Sequence, residues 1–149
     1  MGLVYILSFE SINNPNKYIR HRNFLGELSA IQTTRDKLDA TFAWDGAFGQ
    51  GMEGRIWAIN NTHHVLRHQN YRIKLVENNQ SDFQLFNDSL FIMRPGTDGV
   101  GISFESKNTP GFHIYHDGSN LYLGRKSPDF PHLHVNFTFV PRHPLVMSI

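Results

Sequence analysis

The stretch Ser-Phe-Glu-Ser-Ile-Asn at residues 8–13 decides the predicted fold, because it returns as Ser-Phe-Glu-Ser-Lys-Asn at residues 103–108. The second copy starts 95 residues after the first. This is about twice a period of about 48 residues, and such periods are typical of chains built from internal repeats. A degenerate middle copy, Ile-Trp-Ala-Ile-Asn-Asn, occupies residues 56–61. The chain is therefore predicted to contain three similar segments.

Two further signatures recur in the same order. The first is Tyr-Ile-Arg-His at 18–21, Val-Leu-Arg-His at 65–68 and His-Ile-Tyr-His at 113–116, whose final residues His21, His68 and His116 are 47 and 48 residues apart. The sequences Asp-Ala-Thr-Phe at 39–42, Asp-Ser-Leu-Phe at 88–91 and Asn-Phe-Thr-Phe at 136–139 follow these histidines by 18 or 20 residues. Chance is a poor explanation for three signatures that recur three times in one order.

Apolar and polar residues alternate over four to six positions in each copy, as they do in half-buried strands. No apolar stripe with helical spacing extends over ten residues, and 12 Gly and 7 Pro indicate many tight turns. We predict an all-β fold, namely a single β-trefoil domain over residues 1–149 with repeats at about 4–50, 51–98 and 99–145. A β-sandwich and a three-bladed assembly are alternatives that explain the period less well.

Core positions should recur with the same period. The expected set is Phe9, Trp57, Phe104, Ile19, Leu66, Ile114, Phe42, Phe91 and Phe139. Trp57 takes the place of a recurring Phe and is predicted to be buried. Trp44 precedes a glycine-rich run at residues 46–54 and is predicted to lie in an exposed loop.

Composition excludes several classes of protein. The absence of Cys excludes a disulfide scaffold and a thiol nucleophile. A net charge of +1 lacks the basic surplus of a nucleic-acid binder, so no such partner is expected. No stretch approaches the roughly 18 apolar residues of a membrane span, so no membrane insertion is expected. The apolar run at residues 3–9 lacks the features of a signal peptide, which predicts a cytoplasmic or non-classically secreted protein.

These motifs resemble the arabinose-binding (AbfB) domain of α-L-arabinofuranosidases, which is carbohydrate-binding module family 42. The resemblance rests on Ser-Phe-Glu-Ser-x-Asn-x-Pro, Tyr-Ile-Arg-His-x-Asn-Phe and Asp-Ala-Thr-Phe in residues 8–42 and extends over nearly the whole chain. It implies a β-trefoil that binds terminal arabinofuranose, or a similar sugar, in up to three pockets. No catalytic domain accompanies the motifs, so no enzymatic activity is expected.

The resemblance also implies which residues form the pockets, each built around a histidine and an aspartate. The expected ligand-binding residues are His21, Asn23, Phe24 and Asp39 in the first repeat, His68, Asn70, Tyr71 and Asp88 in the second, and His116 and Asn136 in the third. Since Asn136 stands where the other repeats have Asp, the third pocket is expected to bind more weakly by about 1 kcal/mol or more.

The residue types suit a sugar. A carboxylate accepts from hydroxyl groups, an imidazole donates or accepts, and an aromatic ring covers the C–H face of a sugar ring. Arg20 and Arg67 are expected to support the pockets by pairing with a carboxylate or a carbonyl. Glu10 and Glu105 are expected to bind turn amides rather than to act as a catalytic acid–base pair.

The sequence also allows other interpretations of the histidines and of the function. The pairs His63-His64 and His132-x-His134 suggest a metal, but the spacing offers no third ligand, so we expect no metal and no cofactor. A protein-interaction β-trefoil, cytokine-like or actin-binding-like, is the alternative to a sugar-binding protein. A histidine-based pH sensor is a third possibility.

Overall fold

A computed structural model describes residues 4–146. Its strands are β1 (Tyr5–Ser11), β2 (Lys17–Arg22), β3 (Leu25–Ala30), β4 (Phe42–Trp44), β5 (Glu53–Gly54), β6 (Ile56–Ala58), β7 (His64–Gln69), β8 (Arg72–Glu77), β9 (Phe91–Pro95), β10 (Ile102–Ser106), β11 (Phe112–His116), β12 (Leu121–Arg125) and β13 (Phe139–Arg142). Two short α-helices, α1 (Thr34–Asp39) and α2 (Phe83–Asp88), and two 3-10 helices (Thr97–Gly99 and Pro131–Phe137) complete the described part. The all-β prediction is confirmed.

The strands form one continuous antiparallel network. β1 pairs with β2, β4 and β13, and β10 pairs in the same way with β11, β9 and β13. β6 pairs with β4 and β7. In this network β1 and β13 lie side by side, so the two ends of the described chain are adjacent.

Three hairpins, β2–β3, β7–β8 and β11–β12, meet at one side of the molecule. The carbonyls of Phe24, Tyr71 and Ser119, in the turns of the three hairpins, each accept a backbone hydrogen bond of 2.9 Å from the next hairpin. The third hairpin accepts from the first, so the three contacts form a closed cycle. Where the hairpins meet, Gly26 packs so closely that a Cβ atom there would lie 2.9 Å from Cγ2 of Ile73. Glycine at this position therefore permits the close approach.

The core lies between these strands and is built mainly of Phe, Ile and Leu side chains. Phe9 and Phe104 pack edge to face, with ring centroids 5.2 Å apart. Eight of the nine predicted core residues are buried, and the exception is Trp57. The core is therefore where the apolar periodicity predicted it, apart from one strand.

The prediction for both tryptophans was wrong. Trp57 pairs with Val65 across β6 and β7, just as Glu10 pairs with Tyr18, so the middle copy aligns one residue earlier than the sequence suggested. Because side chains alternate across a strand, this shift buries Ile56 and leaves Trp57 partly exposed. Trp44 is fully buried on β4, and its Nε1 donates to the carbonyl of Ala47 at 2.9 Å.

Helices α1 and α2 place the two aspartates of the third signature. Thr33 caps α1 in a reciprocal capping box with Asp36, and Asp82 caps α2 by accepting from the amide of Leu85. Asp39 and Asp88 are the last residues of these helices and are turned into the protein. The helices therefore position the carboxylates beside strands β2 and β7.

Candidate functional site

The first predicted site joins side chains from three parts of the chain. Nε2 of His21, on β2, lies 2.8 Å from Oδ1 of Asn60, which follows β6. The Nδ2 group of Asn60 donates to Oδ1 of Asp39 at 2.8 Å. Arg20 donates to Oδ2 of the same carboxylate at 2.5 Å. These four side chains are called the first network.

The second predicted site has the same arrangement. Nε2 of His68, on β7, lies 2.8 Å from Oδ1 of Asn108, which follows β10. Asn108 donates to Oδ1 of Asp88 at 2.7 Å, and Arg67 donates to the other oxygen of that carboxylate. These side chains form the second network. In both networks the arginine pairs with the aspartate, as expected from the sequence.

The third predicted site keeps the geometry but changes the chemistry. His116 lies 2.9 Å from Oδ1 of Asn13, and Asn13 donates to Oδ1 of Asn136 at 2.8 Å. These side chains form the third network. It carries no charge from an aspartate, and Tyr115 stands before the histidine where the other networks have an arginine. The amide of Gly118 also donates to Nδ1 of His116 at 3.0 Å.

The hydrogen bonds assign the protonated nitrogen of each histidine. Because each asparagine donates with its amide group, its oxygen faces the imidazole and accepts from Nε2–H. Burial lowers the pKa of His21 and of His116, so both rings are neutral at pH 7. No described residue hydrogen bonds to Nδ1 of His21 or of His68 in this part of the chain. Because the His21 ring is neutral, its Nδ1 is an acceptor that no side chain of the first network occupies.

The carboxylates are buried and already hydrogen-bonded. In addition to the contacts above, Nε of Arg35 lies 3.3 Å from Oδ1 of Asp39, and Gln84 donates to Oδ1 of Asp88 at 2.9 Å. Burial by itself raises the pKa of Asp88, but hydrogen bonds from Asn108 and Gln84 lower it overall, so the group is charged at pH 7. A ligand hydroxyl group that reaches these carboxylates can donate only to the oxygen lone pairs that the protein's own hydrogen bonds leave free.

A pocket of about 490 Å³ opens beside the first network. All four residues predicted for the first site, His21, Asn23, Phe24 and Asp39, border it. Arg35, whose side chain is 79% exposed, forms part of its rim. The volume lies in the range that small-molecule sites usually have, and the lining is mostly polar. The first site is therefore a polar pocket of suitable size for one or two sugar rings.

The turns after His21 and His68 present aromatic rings at the surface. Both central residues of each turn, 23–24 and 70–71, have positive φ, the type I′ geometry that usually selects Asn and Gly. Phe24 and Tyr71 nevertheless occupy the second position, and they are 57% and 62% exposed. Tyr71 lies with its ring centroid 6.0 Å from that of Phe112. A bulky residue in this conformation is unusual.

The third network borders a pocket with a different lining. This pocket has a volume of about 240 Å³ and is bordered by Tyr115, Phe130, Leu133 and Phe137 as well as Asn136. Ser119 takes the place of the aromatic turn residue. This pocket is therefore smaller and more apolar than that of the first network.

The sequence did not indicate the three asparagines that join each network. Asn60, Asn108 and Asn13 each follow the strand that carries the first signature of the next segment. Two of them close the repeated Ser-Phe-Glu-Ser-x-Asn motif, so the recurrence itself was the available signal. What the sequence could not show was that this strand lies beside the histidine of the preceding segment.

The two glutamates of the first signature bind turn amides, as predicted. Oε2 of Glu10 accepts from the amide of Asn16 at 2.8 Å, and Oε2 of Glu105 accepts from that of Gly111 at 2.7 Å. Within residues 4–146, no cluster of three potential ligands could hold a metal ion. Helices as short as those described here do not reach the length or apolarity of a membrane span.

The sequence matches a known domain family. The family model described as the alpha-L-arabinofuranosidase B (ABFB) domain matches residues 2–84 and, in an overlapping second match, residues 55–147. The chain belongs to the AbfB domain family. Domains of this family are carbohydrate-binding modules. A comparison with curated protein sequences finds no match.

Solved structures share the fold of this AbfB domain. A family GH54 α-L-arabinofuranosidase variant soaked with 4-nitrophenyl α-L-arabinofuranoside matches with a TM-score of 0.79 and 15% identity, over 95% of this chain and 31% of that one. An arabinofuranosidase complexed with arabinofuranosyl-α-1,2-xylobiose matches with 0.79 and 15%, over 97% and 32%. An endo-β-galactosidase from Clostridium perfringens matches with 0.66 and 14%, over 93% and 32%. The chain thus spans about a third of these enzymes.

Proposed function

We propose that this protein is a non-catalytic carbohydrate-binding protein that recognises terminal arabinofuranose, or a sugar with a similar hydroxyl pattern, through its first and second networks. The observation that carries the proposal is the His–Asn–Asp–Arg arrangement, which occurs twice and opens on a polar pocket at the first site. The neighbouring arabinofuranosidase complexed with arabinofuranosyl-xylobiose supports this choice of sugar.

The proposed architecture is a single β-trefoil domain with three repeats, at about 4–50, 51–98 and 99–145. Three features support it: the cyclic contacts of the three hairpins, the three networks and the two overlapping matches of one family model. Several weak sugar sites on one body bind a branched polymer more tightly than one site does. The protein would therefore prefer arabinose-decorated polysaccharide over free arabinose.

The electrostatics of the first pocket favour binding over catalysis. A glycosidase needs a carboxylic acid whose pKa is raised toward neutrality. Asp36 borders the pocket, and its pKa lies far below the ordinary value because the amide of Gln32, the guanidinium of Arg20 and the amide of Thr33 donate to it. A carboxylate held in this way is a poor proton donor at neutral pH.

Calorimetric titration tests the proposal. We expect methyl α-L-arabinofuranoside to bind, and we expect Asp39→Asn and Asp88→Asn each to weaken one site by about tenfold or more, because a charge-assisted hydrogen bond contributes about 1.5–3 kcal/mol. Glu105→Gln is the matched control, since this carboxylate hydrogen-bonds to Arg94 and to the amide of Gly111 and to no side chain of either network. If a folded variant that carries both Asp39→Asn and Asp88→Asn binds the sugar as tightly as the unmodified protein does, the proposed sites are wrong. Pull-down of a protein partner that free sugar does not displace would support the interaction-module alternative.

A further inference from the structure

One surface position differs from its two counterparts. Glu10 pairs across the sheet with Val140, and Glu105 pairs with Ile92. Each glutamate binds an arginine two residues further along the partner strand, namely Arg142 at 2.9 Å and Arg94 at 2.8 Å. At the corresponding place on β6, the strand carries Trp57 in place of a glutamate.

Trp57 also has a different partner. It pairs with Ala43, and the residue two positions further along β4 is Asp45. The indole Nε1 donates to Oδ2 of Asp45 at 2.9 Å, while Oδ1 of Asp45 accepts from the amide of Arg55 at 2.6 Å. Both atoms of the carboxylate are therefore fixed, and they hold the indole in one orientation. A Glu–Arg ion pair has been replaced by a partly exposed aromatic ring.

The exchange opens space. Around Glu10 and Arg142 the pocket has a volume of about 170 Å³, whereas around Trp57 and Asp45 it has about 410 Å³. Apolar side chains of Val4, Ile6 and Ile59 line the larger pocket together with His63. Trp57 and His63 also border a second pocket, of about 440 Å³, whose other walls are Glu77, Asn78 and Gln80. Trp57 therefore stands between an apolar hollow and a polar one, a combination that suits the two faces of a sugar ring.

The chain leads from this surface to the first pocket within a few residues. Trp57 and Ile59 line the larger hollow, Asn60 belongs to the first network, and Asn61 borders the pocket of that network. Three residues of extended chain span at most about 10 Å. The backbone of Trp57 therefore lies within about 10 Å of that of Asn60, which belongs to the first network.

We propose that Trp57 forms an additional subsite, a stacking platform for the sugar ring next to the terminal residue held by the first network. Asp45 orients the indole, and His63 and the polar wall offer hydrogen-bond partners to the hydroxyl groups of that ring. The proposal rests on the proposed function, and it states which glycans are preferred: neutral oligosaccharides that carry a terminal arabinofuranose on a further sugar, rather than the free monosaccharide.

Intrinsic fluorescence tests the subsite directly, because the chain has two Trp and the other one, Trp44, is fully buried. The probes are arabinofuranosyl-xylobiose and methyl α-L-arabinofuranoside. We expect the trisaccharide to bind about five- to tenfold more tightly than the monosaccharide and to change the emission of Trp57. We expect the monosaccharide to leave that emission unchanged. The Trp57→Phe variant should lose the fluorescence change.

The second variant carries Trp57→Glu with Asp45→Arg and installs the ion pair that the protein uses at its two other positions, so it keeps a side-chain arrangement that this fold already accommodates. In it the preference for the trisaccharide should disappear while the affinity for the monosaccharide stays the same. A folded double variant that still prefers the trisaccharide five- to tenfold overturns the subsite alone. If the monosaccharide does not bind the unmodified protein, the proposed function is overturned. In that case the subsite is overturned as well, because the proposal places the stacked ring next to a sugar held by the first network.

Discussion

The two aspartates should differ in their contribution to stability, although their networks look alike. Arg67 pairs with Asp88, and these side chains are 9% and 5% exposed. Arg20 pairs with Asp39 but also donates to Asp36 at 2.6 Å. Substituting Asp88 by Asn therefore leaves Arg67 without a carboxylate partner among the described residues. Asp39→Asn leaves Arg20 with one.

The expected magnitudes follow from that difference. Removing one partner of a buried ion pair typically costs about 3–5 kcal/mol, because an uncompensated charge remains buried. Asn keeps part of the hydrogen bonding, so we expect Asp88→Asn to lower the free energy of unfolding by about 3 kcal/mol. We expect Asp39→Asn to lower it by about 1–2 kcal/mol. At this chain length the melting temperatures should fall by about 6–12 °C and about 2–8 °C respectively.

Urea unfolding followed by circular dichroism measures both losses. The third network supplies a rescue, because it combines Asn136 with Tyr115 in place of an arginine. Combining Arg67→Tyr with Asp88→Asn removes the unpaired charge and should recover at least half of the loss. Equal losses in the two single variants, or a larger loss for Asp39→Asn, would refute the reasoning that Asp36 compensates Arg20.

Three further predictions concern other parts of the fold. Burial lowers the pKa of His113 to about 4, below the 6.5 of an unfolded histidine, so the unfolded chain binds more protons in that interval. Stability should fall by up to about 3 kcal/mol as the pH is lowered from 7 to 4, and His113→Val should flatten the pH dependence of urea unfolding. Gly26→Ala should lower the free energy of unfolding by about 1–3 kcal/mol, because the new Cβ atom would contact Ile73. When Gly26→Ala is combined with Ile73→Ala, the loss of stability should be smaller than the sum of the two single losses. Additive losses would contradict the close contact. Acrylamide should quench Trp57 and not Trp44, so Trp57→Phe should abolish quenching, and quenching that persists in that variant would show that Trp44 is exposed.

The sequence could predict what depends on periodicity. The spacing of His21, His68 and His116 identified the three places where side-chain networks form, because equal spacing in a repeated strand pattern puts residues in equal surroundings. The apolar residues beside them are buried for the same reason. Arg20 was predicted to support its pocket by pairing with a carboxylate or a carbonyl, and in the structure it pairs with the carboxylate of Asp39.

The sequence could not predict what depends on register and on contacts between segments. A one-residue slip in the middle copy exchanged Ile56 and Trp57, since the larger aromatic residue matched the recurring Phe better than the true core residue did. Glycine-rich neighbours suggested that Trp44 was exposed, although it ends a core strand. Asn60 was missed because only the three-dimensional arrangement brings it to His21.

Each network takes its asparagine from a distant part of the chain, 39 residues from the histidine in the first, 40 in the second and 103 in the third. None of the three predicted repeats therefore holds a complete network, and a cut in the chain anywhere between Asn13 and Asn136 would separate residues of the third network. Detachment of β1 alone would remove Asn13 from the third network while the first two kept all their side chains. Ligand binding at the individual networks would thus report which part of the molecule has opened. In limited proteolysis, bound sugar should protect the chain between His21 and Asn60 and the chain between His68 and Asn108 from cleavage.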